Sequence, residues 1–254
     1  MKAMILAAGR GTRLGPLGLQ RPKALLEIQG IPLLAGVISR LAQQGFREII
    51  VNTHHLADQV AEYLTRYRQS YRPVGLTLAV SREEDLLDTG GGVQRAGWFF
   101  DDGQPFLVYN VDVLSDLHLG RLLQAHLDSE ALATLAVHQR KSSRRLLFDS
   151  RDVLCGWQSL ATGQERMARS PDGPLTPLSF MGIQVISPAL LDRLTLSPPF
   201  SLVDAYLQAA SLGLTVRAHR SDEARWADLG SLERLKQAEE LFEPAFFASL
   251  RKGP

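Results

Sequence analysis

An apolar run and the loop directly behind it constrain this chain more than any other feature. Lys2–Ala8 reads KAMILAA, the continuous apolar pattern of a strand covered on both faces. The stretch Leu6–Lys23, LAAGRGTRLGPLGLQRPK, then holds four glycines, two prolines and four positive charges. The first half keeps this rhythm. PLLAGVISRLAQQGF places Leu34, Val37, Ile38 and Leu41 at helical spacing and stops at Gly45. REIIVNT is a second strand, LADQVAEYLTRYR a helix, LTLAVSR a third strand and PFLVYNVD a fourth, followed by helix LHLGRLLQAHL and strand LATLAVHQ. Strands alternating with helices predict βαβ units and a mainly parallel sheet. After about Gln139, RRLLFD, VLCGWQSL and LSFMGIQVIS follow one another between turns, which predicts a smaller, more antiparallel region. Helix SLVDAYLQAASLG, strand LTVRAHR and a helix over 231–241 complete the chain.

Composition removes several classes of function. With 254 residues and 45% hydrophobic content the chain supports a sizeable core. Its 28 basic and 27 acidic residues leave a net charge of +1, without the basic excess of a nucleic-acid binder. One cysteine, Cys155, excludes an intrachain disulfide and a thiolate zinc site; its apolar surroundings predict a small buried side chain, not a nucleophile. The N-terminal apolar run is too short for a signal peptide, and no stretch approaches the roughly 20 residues that span a bilayer. A soluble cytoplasmic protein with no membrane partner is expected.

The glycine loop suits a phosphate group, although Gly9 and Gly11 taken alone equally mark a tight strand–helix turn. Gly9 and Gly11 follow the first strand directly, where glycine lets backbone N–H groups approach an anion. It is neither a dinucleotide fingerprint, since Leu14 occupies the third glycine slot, nor a P-loop, since G-K-[ST] is absent. Arg13 and Lys23 lie after the strand's carboxyl end, where open α/β sheets bind ligands, and Pro16 and Pro22 stiffen the path between them. Arginine offers phosphate a planar fork and lysine a point charge.

LAAGRGTRLGPLGLQRPKALL resembles the signature of sugar-1-phosphate nucleotidyltransferases, in which L-A-A-G-x-G-T-R-L precedes P-L-T and a P-K-x-L turn. The spacing matches from Leu6 to Leu25, with Gly18 in place of the usual threonine and Gly15 where a basic residue is common. The resemblance implies a single domain over residues 1–254: a Rossmann-like three-layer α/β sandwich with a mainly parallel central sheet and a smaller antiparallel substrate side. Residues about 1–139 would be the NTP-binding half. Residues about 140–254 would bind the sugar phosphate and complete the metal site. It further implies transfer of a nucleotidyl group from an NTP to a sugar 1-phosphate, with Mg²⁺ as cofactor.

The same resemblance assigns residues. Arg13 and Lys23 are expected to be catalytic. Leu6, Ala7, Ala8, Gly9, Gly11, Thr12, Arg13, Lys23, Thr89, Gly90, Gly91 and Asn110 are expected around the nucleotide. Asp112 emerges from the carboxyl end of an apolar strand, as a hard-cation ligand would. It corresponds to the family's G-D metal motif, with Val111 in place of glycine. Its rival, Asp116, reads as a helix cap. Asp228 in ARWADLGSLERL resembles the aspartate of W-x-D-x-G-(T/S), which completes the metal site; a turn aspartate starting the next helix is the plainer alternative. DTGGG, Asp88–Gly92, looks like the form in uridylyltransferases acting on N-acetylmuramate 1-phosphate. LSFMGIQVIS resembles F-x-G-I-x-V, placing Gly182, with Gly156 and Glu165, near the sugar. For Trp157, core packing and sugar stacking both stand. His54 and His55 read as a loop or ligand-edge feature rather than a metal pair, and RKSSRR most simply as a solvated basic turn, with attraction of a phosphorylated substrate as the alternative. The phenylalanine-rich tail docks on the core or on a second subunit, which would make a homodimer. The alternatives are a mannose-1-phosphate guanylyltransferase, a cytidylyltransferase acting on a non-sugar phosphate such as choline phosphate, and a catalytically silent nucleotide-sensing subunit.

Overall fold

The computed structural model describes residues 1–12, 16–70 and 75–253. The chain divides into two interleaved compact units. The first comprises Met1–Leu86, Tyr109–Leu117 and Arg225–Pro254; the second comprises Leu87–Val108 and His118–Ala224. The units therefore do not follow a sequential division near residue 139. The last thirty residues, Asp228 among them, belong to the same unit as the glycine loop. The fold is α/β, with parallel strands at its centre and flanking helices.

In the first unit three parallel strands, Lys2–Leu6, Glu48–Thr53 and Thr77–Arg82, lie side by side, with Met4 opposite Ile50 and Ile50 opposite Ala79. Ile49, Ile50 and Val51 are fully buried, as an uninterrupted apolar run in a doubly covered strand requires. Helix Leu33–Gln43 buries Leu34, Val37, Ile38 and Leu41 on one stripe and ends at Gln44, with Gly45 following at a φ of +89°. Each such buried side chain contributes roughly 1.5–3 kcal/mol. The tail helix Pro244–Arg251 packs Phe247 and Leu250 inward, and Leu250 reaches the face of Gly36 on the Leu33–Gln43 helix. Of the two positions open to it from sequence, the tail takes the one on its own core.

In the second unit the strand Thr176–Ile186 pairs antiparallel with Ala133–His138, which in turn runs parallel to Val216–Arg220. An antiparallel meander of Arg144–Phe148, Leu154–Ser159 and Glu165–Met167 extends from its other side. This is the antiparallel region the second half of the sequence predicts. Thr176–Ile186 bulges between Phe180 and Gln184, with Gly182 in the bulge. Helices Asp88–Arg95, Leu119–Leu127 and Leu202–Ser211 complete the unit. No helix among the described residues is long and apolar enough to cross a membrane.

Candidate functional site

The carboxyl ends of the first unit's parallel strands carry a set of polar residues on an otherwise apolar frame. Leu6, Ala7 and Ala8 are buried, and the chain surfaces at Gly9, Arg10 and Thr12. A side chain at Gly9 would meet nothing within 4 Å, so its backbone is open to a ligand. Gly11 takes a φ of +64°, which side-chain-bearing residues rarely adopt. Arg13 lies outside the described residues. The turn into the loop is held from beneath: Asn52 Oδ1 accepts the Ala7 N–H at 2.7 Å, and Asn52 Nδ2 donates to Glu83 Oε1 at 2.6 Å. Asn52 and Glu83 are both only 2% exposed. Neither was singled out from sequence. The available signal was a polar residue closing the apolar run REIIV, at the strand end where ligands bind.

Lys23 opens a short 3₁₀ turn, Lys23–Leu25, entered from Pro22. Its Nζ forms an ion pair with Asp112 Oδ2, and the two side chains are 10% and 25% exposed. Asp112 follows the strand Phe106–Asn110, and the Val111 N–H donates to Leu6 O at 3.1 Å. Val111, where glycine is usual, is thus accommodated beside the first strand with its side chain buried. The strands Val113–Ser115 and Trp226–Asp228 pair antiparallel, with Asp228 opposite Val113. The Leu229 N–H donates to Asp112 O at 2.7 Å. Asp112 and Asp228 therefore stand on hydrogen-bonded neighbouring segments, although more than a hundred positions separate them in sequence. Asp228 Oδ1 accepts the Gly230 N–H at 2.7 Å, and Oδ2 pairs with Arg234. Ser231 caps the helix Leu232–Leu241, so Asp228 closes the turn that starts this helix.

No group of three His, Cys, Asp or Glu side chains among the described residues forms a metal cage. The donor set nonetheless fits Mg²⁺, which commonly binds through one or two carboxylates plus phosphates and water. Both carboxylates are partly exposed and already face cations, Lys23 and Arg234. Asp116, in contrast, is committed elsewhere: it accepts the Arg225 N–H at 2.8 Å and the Arg225 Nε–H at 2.7 Å. It is not the helix cap either. His118 caps the helix Leu119–Leu127, its ring accepting from the Arg121 N–H. His54 Nδ1 lies 3.2 Å from Glu83 O and His55 Nε2 lies 2.8 Å from Gly18 O, so both histidines serve loop geometry. Asn110 sits half-buried at the end of its strand.

The remaining residues singled out from sequence belong to the second unit. Thr89, Gly90 and Gly91 lie in the first turn of the helix Asp88–Arg95. The N–H groups of Gly90 and Gly91 both donate to Phe200 O, and Thr89 Oγ1 accepts the Leu202 N–H at 2.9 Å. A Cβ on Gly90 would collide with the Phe200 ring and stand 2.9 Å from Phe200 O; one on Gly91 would stand 2.9 Å from Leu87 Cβ. The glycine run thus lets this helix seat against the loop before the helix Leu202–Ser211, a packing reason that its composition alone does not reveal.

Gly156 pairs across the meander with Met167, Trp157 with Arg166, and Gln158 with Glu165. Successive side chains alternate faces, so Trp157 and Arg166 lie on one face while Gly156 and Glu165 lie on the other. The Trp157 face, closed by the start of the helix Leu202–Ser211, forms an open cavity of about 360 Å³ lined by Trp157, Arg166, Phe180, Ser201 and Asp204 among others. Arg144 and Arg145 of the basic turn also line it. Arg166 pairs with Asp204 at 2.7 Å. Burial pushes the Asp204 carboxyl up, but hydrogen bonds from Ser201 and Arg166 hold it below the usual range. Cys155 is fully buried, which raises its thiol pKa further from reactivity.

Comparison with known proteins agrees with this frame. Residues 2–146 match the nucleotidyl transferase family model. An N-acetylmuramate alpha-1-phosphate uridylyltransferase from Neisseria meningitidis is 31% identical over 95% of this chain and 98% of its own length. A UTP–glucose-1-phosphate uridylyltransferase from Synechocystis is 30% identical over 94% of this chain, which spans 62% of that relative's length. The solved UDP-glucose pyrophosphorylase of Acinetobacter baumannii shares the fold, with a TM-score of 0.75 at 20% identity over 99% of this chain and 97% of its own. The family match over more than half of the chain, together with the full-length likeness to the Neisseria relative, shows that this chain belongs to the nucleotidyl transferase family.

Proposed function

We propose that this chain transfers a nucleotidyl group from an NTP to a sugar 1-phosphate, forming an NDP-sugar and releasing pyrophosphate. The observation that carries this reading is the convergence of Lys23, Asp112 and Asp228 behind a glycine loop at the carboxyl ends of parallel strands. A phosphate oxygen of the sugar phosphate attacks the α-phosphorus, a new P–O bond forms, and the bond from the α-phosphorus to the bridging oxygen breaks. The attacking oxygen is already anionic, so no protein nucleophile or general base is required. The protein's task is charge neutralisation and alignment.

The loop from Leu6 to Thr12 and Arg13 receives the triphosphate, with Asn110 assigned to the nucleotide as well; Thr89, Gly90 and Gly91, engaged by the Phe200–Leu202 loop, are left out of it. Lys23 offsets charge on the reacting phosphates and, through its ion pair, orients Asp112. Asp112 and Asp228 hold Mg²⁺, which when bound neutralises phosphate charge. The sugar phosphate is received by the second unit, in the cavity beside Trp157 and Arg166, with Gly182 of the adjoining bulge assigned to it; Gly156 and Glu165 shape the meander from its other face. UTP with N-acetylmuramate 1-phosphate is the preferred pair, supported by the full-length likeness to the Neisseria relative.

The test is pyrophosphate release across a grid of NTPs and hexose 1-phosphates, with and without Mg²⁺. Metal-dependent release with one pair is the expected result. GTP with mannose 1-phosphate as the productive pair would replace the uridylyl assignment. No release across the grid, with NTP binding intact, would overturn the reaction in favour of a silent subunit or a non-sugar acceptor, which a choline phosphate reaction would separate.

A further inference from the structure

One strained turn lies at the edge of the glycine loop and touches none of the groups assigned to catalysis. The strand Glu48–Thr53 ends beside the first strand, and the chain turns through His54, His55 and Leu56 into the helix Ala57–Ser70. Leu56 takes a φ of +53° and is the one hydrophobic residue among the described residues to hold that left-handed conformation. A side chain as bulky as leucine crowds the backbone there, where glycine or asparagine would fit with less strain. Such strain persists only where the surrounding structure over-determines it. Here the surroundings are hydrogen bonds that leave the strand end and the turn for other segments. Asn52 Oδ1 accepts the Ala7 N–H at 2.7 Å, and His54 Nδ1 lies 3.2 Å from Glu83 O. His55 Nε2 lies 2.8 Å from Gly18 O, and Gln59 Nε2 donates to Gln20 O at 3.4 Å.

The partners mark the two ends of one segment. Ala7 enters the glycine loop, while Gly18 and Gln20 belong to the short helix Pro16–Gln20 that leaves it and leads to Lys23. The strand end and its turn therefore grip the loop at entry and at exit, and all of these residues lie in the first unit. Gly18 stands where threonine is usual and has no side chain with which to fix its own position. The exit is held through its carbonyl, by His55.

We propose that His55 is a positioning residue for the triphosphate: with Asn52 at the other end, it fixes the span of the glycine loop before the nucleotide arrives. This rests on the assignment of the triphosphate to that loop, and it adds a residue that acts through Gly18 without touching substrate. A carbonyl only accepts, so the ring carries its proton on Nε2. Leu56 holds its strained conformation because relaxing it would turn that N–H away from Gly18. A loop released at its exit has to be ordered by the nucleotide itself, and apparent affinity falls by the fraction of the loop left competent.

The test compares three variants of the full chain: His55→Ala, His55→Gln and His55→Asn. A glutamine Nε2 reaches about as far from the backbone as the histidine Nε2, and an asparagine amide stops one carbon short. His55→Ala is expected to raise KM for the productive NTP about three- to tenfold, the worth of one hydrogen bond, and to leave KM for the sugar 1-phosphate and Tm nearly unchanged. His55→Gln restores the NTP value and His55→Asn does not. A residue that serves stability alone would lower Tm, move both KM values together and treat the two amides alike. That result, or an unchanged NTP KM in His55→Ala, overturns the proposal. A second readout needs no nucleotide. Arg10 is exposed in the loop, and the rate at which trypsin releases residues 1–10 reports local opening there. That rate should rise by a similar factor in His55→Ala and return in His55→Gln; equal rates overturn the proposal. Should the wild type release no pyrophosphate, the reaction falls and the cleavage rates alone decide whether His55 holds the loop.

Discussion

At the scale of single residues, the site is an arrangement of few charges on a rigid support. Lys23 and Asp112 neutralise each other in the absence of substrate, and each is more buried than an ordinary surface ion pair. Lys23→Met is expected to lower kcat by about 10²–10³, the usual cost of removing one preorganised electrostatic contact, while leaving Tm within a few degrees. Asp112→Asn should abolish metal-dependent turnover with the fold intact, as read by circular dichroism; wild-type activity in that variant would remove Asp112 from the site. Asn52 plays another part. It satisfies the Ala7 N–H and Glu83 at once in a fully buried position. Asn52→Ala leaves the buried Ala7 N–H without its acceptor and removes one hydrogen bond to Glu83, at a cost of about 3 kcal/mol, measurable by urea unfolding. Its effect on NTP affinity should exceed that of a distant core substitution of equal cost, because the lost bond anchors the phosphate loop.

At the scale of elements, two helices show how packing and burial set behaviour. The helix Asp88–Arg95 begins with glycines whose missing side chains are replaced by Phe200 and Pro198. Gly90→Ala should therefore destabilise by about 1–3 kcal/mol through overpacking, although alanine is the better helix former. A flexible turn would show the opposite sign, and comparing Cm values of the two proteins distinguishes them. The helix Leu119–Leu127 carries His126, whose ring nitrogens lie 2.9 Å from Thr134 Oγ1 and 2.9 Å from Ser187 Oγ. Burial pushes its pKa down to about 4 from 6.5. The folded state thus binds fewer protons than the unfolded chain between those values. The contribution to stability is complete above pH 6.5 and is lost as the pH falls towards 4, with a slope of at most about 1.4 kcal/mol per pH unit. His126→Gln should flatten that part of the curve relative to wild type, whatever its effect at neutral pH; parallel curves would exclude His126 as the source.

At the scale of the whole molecule, binding should be visible as stability. The cognate NTP with Mg²⁺ at about 100 times its Kd adds roughly 2.7 kcal/mol, or about 5–10 °C in Tm for a chain of this size. Removing Mg²⁺ with a chelator, or introducing Asp228→Asn, should shrink that shift, while the NTP-free Tm of the wild type should not respond to the chelator. A metal-independent shift would take the two aspartates out of nucleotide binding. The chain folds as two interleaved units, so the transition monitored should be the one that reports the first unit, where the proposed nucleotide and metal groups lie.

The sequence by itself determined the local grammar. Continuous apolar runs specified doubly covered strands, the Leu34–Leu41 spacing specified a helix, and the glycine loop with Lys23 marked the strand end where the proposed phosphate site lies. These follow from backbone conformation and side-chain period, which act over a few residues. The positions of Asp112 and Asp228 near strand ends were legible too, because each closes a short motif there. Only the tertiary structure decided what depends on contacts between distant segments. It put Asp228 in the same unit as the glycine loop, through one antiparallel pairing with the segment after Asp112. It gave Asp116 to Arg225 and the helix cap to His118. It turned an open-looking glycine run into a packing surface and a basic turn into the wall of a cavity. In each case a side chain's role is set by what faces it across a sheet or between helices, and sequence spacing carries no record of that partner.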